Sequence, residues 1–179
     1  DEYNPKKVFS SIDKMGRYSF ENQSKITLWN LARFAETFLH LIDSNEKTAI
    51  KKIEDILNKY KKLFDQSWLI MMSMKLNLDT NNNNEEIVKE FLDLMHIYKL
   101  DYTNTFLDLE NNTLDKKIFK NWEEKYKNNK IRKFKNVNPQ IIPRNHIIEE
   151  IINEVYSNNY SQLYAVSYTH LRAHETYDH

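Results

Sequence analysis

Apolar residues return every third or fourth position through most of this chain, the spacing that lines up one face of an α-helix. Ile26, Trp29, Phe34, Phe38, Leu41 and Ile42 mark a first helical segment, with Ser24 placed to cap its start. A cleaner stripe follows in Ala49, Ile50, Ile53, Ile56, Leu57, Tyr60, Leu63 and Phe64, where Ser44 or Asn45 would be the cap. Trp68, Ile70, Met71, Met74 and Leu76 predict a third segment. The tract Thr80-Asn81-Asn82-Asn83-Asn84 then breaks the period and reads as a polar loop. Glu85 and Glu86 suit the positive end of the next helix, whose stripe is Ile87, Val88, Phe91, Leu92, Met95 and Tyr98. Shorter helical pieces are expected around 102–109 and 114–126. A charged stretch over 127–135 leads to Asn138-Pro139, and Pro143 delays the next helix until about Arg144. Ile147, Ile148, Ile151, Ile152, Val155 and Tyr156 form the last stripe. No alternating strand pattern lasts more than a few residues. The expectation is a mainly α fold of six or seven antiparallel-leaning helices in one layered domain, with no substantial sheet.

Composition narrows the chemistry. Lys+Arg and Asp+Glu both number 26, so no global field draws the chain to nucleic acid or anionic lipid. The absence of cysteine removes disulfides, thiolate metal sites and cysteine nucleophiles. Average usage would put about 12 glycines in this length, and there is one, Gly16. Loops that cradle phosphates need backbone that can approach the ligand closely, so a self-sufficient nucleotide site is not expected. No apolar run approaches the roughly 20 residues that span a bilayer. The start, Asp1-Glu2-Tyr3-Asn4-Pro5, has neither a signal peptide's basic and apolar regions nor an initiator Met, and reads as the interior of a longer chain.

The far end reads differently. Val166-Ser167-Tyr168-Thr169-His170-Leu171-Arg172-Ala173-His174-Glu175-Thr176 resembles the conceptual translation of a transposon-type sequencing adapter, which puts the end of native sequence near Ala165. His170 and His174 stand four residues apart, as in zinc-binding helices, but no Glu follows the first and the adapter reading takes precedence. His40, His96 and His146 are scattered singly and read as surface or boundary residues.

Asp13-Lys14-Met15-Gly16-Arg17-Tyr18-Ser19-Phe20-Glu21-Asn22-Gln23, followed by Trp29-Asn30-Leu31, resembles a block of the selenoprotein O family. The likeness continues in order through Met74-Lys75-Leu76-Asn77-Leu78, Asp101-Tyr102-Thr103 with Phe106, Asn138-Pro139 with Arg144-Asn145, and Asn159-Tyr160-Ser161 with Leu163. Five collinear blocks cover residues 1 to about 164. Ser24 stands where the family has Pro, Asn77 where it has Gly, Leu107 where it has Arg, and Pro143 where it has Leu. Phe9 occupies the place of a cysteine that some members carry, so the associated redox control is not expected here.

The resemblance implies a multi-helix lobe of an atypical kinase-like fold that binds ATP in a reversed pose. It further implies transfer of AMP to Ser, Thr or Tyr hydroxyls of proteins, with Mg or Mn at the phosphates. The family's metal and catalytic groups lie on an Asn-x-Asp-Asn block and an Asp-Tyr-Gly block, both upstream of the position matching Asp1, and the phosphate-binding loop and lysine lie further upstream. No catalytic, cofactor-binding or metal residue is therefore carried onto this chain. The implied organisation is a loop segment over 1–23, a helical lobe over 24–164 and adapter sequence over 165–179. Bacterial members of the family are cytoplasmic and eukaryotic ones mitochondrial. The implied partners are protein substrates, with ATP held by a lobe outside this chain, and neither nucleic acid nor membrane.

Several residues admit both a chemical and a structural reading. Arg17 either meets substrate or, with Asp13, Asn22 and Gln23, pins a loop onto the helices; the second reading is favoured. Trp29 is expected in the core, and Asn30 to order a neighbouring loop. Asp101-Tyr102-Thr103 reads as a helix cap before it reads as an acid–hydroxyl pair. Glu149 and Glu150 point to different sides of a helix and make poor acid/base partners. Lys130-Ile131-Arg132-Lys133-Phe134-Lys135 interleaves basic and aromatic residues as nucleic-acid surfaces do, but acidic Glu123 and Glu124 lie close by and a solvated linker is favoured. Met71, Met72 and Met74 are expected to fill core. Two functions stay open: a piece of an adenylyltransferase whose nucleotide site lies upstream, and a stand-alone helical interaction module. The first carries the expectation that the chain alone exposes a surface made to pack on a missing lobe.

Overall fold

A computed structural model of the chain describes residues 2–131, 137–139, 142 and 144–167. Residues 1–135 and 136–179 form two compact units. The first contains a 3-10 turn at Phe20–Asn22 and the helices α1 (Gln23–Glu36), α2 (Leu39–Ile42), α3 (Glu46–Lys75), α4 (Glu85–Ile97), α5 (Tyr102–Glu110) and α6 (Lys116–Lys127). The second contains α7 (Asn145–Tyr156) and a further helical stretch over 161–167. Among the described residues there is no strand, only isolated bridges pairing Glu2 with Asp101 and Leu78 with Lys130. The fold is mainly α, as the periodicity predicts. No described helix is long and apolar enough to cross a membrane.

Side chains with oxygen acceptors start three of the helices, α3, α5 and α6. Asn45 Oδ1 accepts from the Thr48 amide at 3.2 Å, Asp101 Oδ1 from the Asn104 amide at 2.9 Å, and Asp115 Oδ1 from the Lys117 amide at 2.8 Å. Ser24 is not a cap. The chain enters α1 directly from the 3-10 turn, and the residue before the helix, Asn22, makes no side-chain capping bond.

Four of the helices also end alike. Asn77, Lys99, Asn112 and Asn158 take positive φ of 56, 53, 57 and 61° after α3, α4, α5 and α7. At each, the next amide reaches back five residues, as Leu78 N does to Ser73 O at 2.8 Å and Leu100 N to Met95 O at 2.9 Å. This is the Schellman closure, usually built on glycine, here made by asparagine three times and lysine once.

The second and third predicted segments are one helix. Gln66 and Ser67 interrupt the apolar stripe but supply no Pro or Gly to stop the hydrogen-bond ladder, so α3 runs for 30 residues, about 45 Å. The first predicted segment is instead broken: Thr37 Oγ1 donates to Phe34 O at 2.7 Å and caps α1 before α2 begins.

The core of the first unit gathers the end of α3 with α4, α5 and α6. Met72, Leu76, Val88, Phe91, Met95, Phe106, Phe119 and Trp122 are all buried there. Phe91 lies at its centre, with ring centroids of Phe106, Phe119 and Trp122 at 5.2, 5.2 and 4.8 Å. The Trp122 indole N–H donates to Ile87 O at 2.9 Å. Of the three methionines expected in the core only Met72 is fully buried, while Met71 is exposed. The asparagine tract is ordered from beneath: buried Asn84 donates from Nδ2 to Ser73 Oγ at 3.0 Å and to Asp79 O at 2.8 Å. The extended start is tied down as well, with Tyr3 N donating to Leu100 O at 2.8 Å and the Tyr3 ring beside Phe20, His96 and Tyr102.

Candidate functional site

The segment between this extended start and α1 is closed by its own polar side chains. Asp13 accepts from two successive amides, Arg17 N to Oδ1 at 2.9 Å and Tyr18 N to Oδ2 at 2.8 Å. Asn22 Nδ2 donates to Gly16 O at 3.0 Å, and Gln23 Nε2 donates to Tyr18 O at 2.7 Å and Ser19 O at 3.3 Å. Gly16 takes φ +65°; a Cβ there would meet only Val8 Cγ2 at 3.7 Å and Ser19 Cβ at 3.9 Å. Backbone conformation, rather than space, therefore asks for glycine at this turn. The loop-pinning reading of Asp13, Asn22 and Gln23 matches these bonds.

Arg17 differs from its neighbours. Its amide belongs to the turn, while its guanidinium lies 4.4 Å over the Trp29 ring and 5.6 Å from the Tyr18 centroid. Arg33 approaches the same indole at 5.8 Å and is ion-paired with Glu36 at 2.6 Å. Arg17 makes no ion pair among the described residues. A cation over an indole face is attracted by the ring's π electrons. Trp29 is 48% exposed, so its placement in the core does not hold. Helical periodicity put it on an apolar face, and in this structure that side of α1 carries arginine instead of packed side chains. Asn30 is exposed as well, and its side chain orders no loop among the described residues.

Next to this turn α1, α2 and the first half of α3 enclose an apolar groove of about 510 Å³, lined by Leu31, Phe34, Ala35, Phe38, Leu41, Ile42, Ile53, Ile56, Leu57, Tyr60 and Leu63. A second cavity of about 210 Å³ lies between Met74, Asn77, Asp79, Thr80 and Ile131. Its polar atoms are already engaged: Asn77 Nδ2 donates to Ile131 O at 2.8 Å, and Asp79 Oδ1 accepts from the Asn81 amide and side chain, each at 3.0 Å. Lys75 is half-buried, with Nζ 4.6 Å over the Phe106 ring and 5.8 Å from that of Tyr102. Burial lowers its pKa, opposed by the charge of Glu110.

The other residues singled out for chemistry stay apart. Asp101 caps α5, as its sequence position suggests, and Thr105 Oγ1 rather than Thr103 bonds back to Asp101 O at 2.7 Å. Glu149 and Glu150 are exposed side by side on α7. His40 and His146 are exposed, and His96 Nδ1 lies 3.5 Å from Tyr3 O. Among the described residues no three His, Cys, Asp or Glu side chains could share a metal ion. Most of the basic stretch over 130–135, together with His170 and His174, lies outside the described residues.

Residues 1–129 match the family model described as protein adenylyltransferase SelO. The chain belongs to the SelO family. The match takes in the Asp13–Gln23 turn, the groove and the whole of the core around Phe91. Among similar proteins, one from Pelagibacter ubique is 41% identical over 169 residues, covering 85% of this chain and 35% of that protein. A Clostridium botulinum protein is 40% identical over 169 residues, with 85% and 34% covered. One from Brevibacillus brevis is 38% identical over 173 residues, with 87% and 35% covered. All three are named protein nucleotidyltransferase YdiU. The chain thus spans about a third of the length of these SelO relatives.

Two features of the site were out of reach of sequence reasoning. The Arg17–Trp29 stack joins residues on either side of a turn whose path no periodicity specifies. The groove did have a signal, in the long unbroken stripe from Ala49 to Phe64, but that stripe reads equally well as core.

Proposed function

We propose that the SelO protein containing this chain transfers AMP from ATP to Ser, Thr or Tyr hydroxyls of other proteins. The hydroxyl oxygen attacks the α-phosphate, the bond to the bridging oxygen breaks, pyrophosphate leaves, and a carboxylate takes the hydroxyl proton. Mg or Mn would neutralise the phosphates, and the catalytic lobe would be of the atypical kinase-like type. The observation that carries this reading is the family match over residues 1–129, which is to protein adenylyltransferases. The division of labour is part of the proposal. Neither an Asn-x-Asp-Asn nor an Asp-Tyr-Gly block occurs in this sequence, and the only glycine serves a turn closed by its own side chains. Residues 24–164 then act as a helical support preceded by the loop segment over 1–23, and the nucleotide and metal groups come from polypeptide outside this chain. Bacterial relatives accord with action in the cytoplasm.

ATP labelled on the α-phosphate, given to the full-length Pelagibacter relative with Mg or Mn and a protein substrate, should label that substrate. ATP labelled on the γ-phosphate should not, and residues 1–179 alone should label nothing with either. Transfer of γ-label overturns the reaction, as does silence of the full-length protein with both metals. Transfer by the isolated chain overturns the division of labour.

A further inference from the structure

The groove between α1, α2 and α3 is the least expected surface of the first unit. None of its lining residues carries a charge. Phe34 is 61% exposed, Leu41 70%, Ile56 67% and Leu63 60%, although all four belong to helices whose stripes predict burial. Single exposed apolar residues are ordinary, but a contiguous apolar concavity on a soluble protein marks a covered surface.

We propose that in the full-length SelO protein this groove is filled by an apolar segment of the same polypeptide from outside residues 1–179. The Pelagibacter relative shares this region at 41% identity, yet the matched part is only 35% of its length. About two-thirds of such a chain therefore lies outside and must pack somewhere. The groove residues fall within the stretch that matches the SelO family model. A second copy is the weaker occupant. A two-fold contact would set this groove against itself, and two concave faces leave a void between them. A charged peptide has nothing here to pair with. The inference rests on family membership and not on the reaction, so the two fail separately.

The chain has no cysteine, which makes the test direct. Ile56→Cys is placed in the groove and Lys120→Cys, as control, on the exposed side of α6. Maleimide labelling of each is followed in the isolated chain and in the Pelagibacter protein whose matching segment is exchanged for this one. Ile56→Cys should label at least about tenfold more slowly in the full-length exchange protein, while Lys120→Cys labels alike in both. Equal rates at Ile56→Cys overturn the proposal. So does protection already present in the isolated chain, which would assign the groove to a second copy if it grows with concentration and to the chain's own residues if it does not. Hydrogen–deuterium exchange over the matching stretch of the unaltered Pelagibacter protein, against that stretch expressed alone, decides the same question if the exchange protein does not fold. Slower exchange in the full-length protein supports the covered groove, and equal exchange overturns it.

Discussion

Among the described residues, four side chains with a Cβ sit where the backbone turns left-handed, a conformation that costs an L-residue about 1–2 kcal/mol and costs asparagine less. Three of the four are asparagine, so a chain with a single glycine still closes these four helices. Lys99 is the exception, being exposed and without asparagine's short local hydrogen-bonding group. Lys99→Gly should raise stability by about 0.5 kcal/mol, the relieved strain outweighing the extra freedom of the unfolded chain. The shift in urea midpoint measures it. Asn77→Gly relieves the same strain but deletes the half-buried bond from Asn77 Nδ2 to Ile131 O, so it should give no such gain. At this scale the sequence was legible where a side chain bonds within a few residues of itself, as Asp13 does with Arg17 and Tyr18. It was not legible where the partner is an aromatic face, as with Arg17 on Trp29.

Individual elements follow from local chemistry where a cap is present. Asp101 shows it: as a helix N-cap, Asp101→Ala should lower stability by about 1 kcal/mol and Asp101→Asn by much less, read from urea melts. Equal losses from both would indicate that the charge, and not the cap, matters. Boundaries were misread where a stripe paused without a stop signal, at Gln66 and Ser67, and where Thr37 bonded backward to Phe34 and ended α1 early. Both errors arise because periodicity reports which face of a helix is apolar, while termination depends on where hydrogen-bond donors and acceptors find other partners.

At the scale of the molecule, the packed core sets an alkaline limit. Burial pushes the phenols of Tyr102 and Tyr126 up to about 12 from an ordinary value near 10. Tyr126 OH is buried without a hydrogen-bond partner among the described residues. Below pH 10 both phenols are neutral folded and unfolded, and their stabilisation is complete. Between pH 10 and 12 the unfolded chain sheds these protons while the folded one holds them, so stability falls as pH rises through that window. The melting temperature should drop over this range, and Tyr126→Phe should make the drop shallower. Tyr126→Phe should also leave stability at neutral pH unchanged or higher, because it removes a buried hydroxyl with no hydrogen-bond partner among the described residues.

The sequence by itself determined the helical class, most helix starts, the polar closure of the Asp13–Gln23 turn and the family, since all of these depend on residues close together in the chain or on their order. Only the tertiary structure decided which apolar stripes become core. Val88, Phe91 and Met95 on α4 are sealed by α5 and α6, whereas Phe34 and Ile56, as apolar and as regularly spaced, border an open groove. Burial is a property of what lies across from a side chain, and spacing along one helix carries no record of its partner.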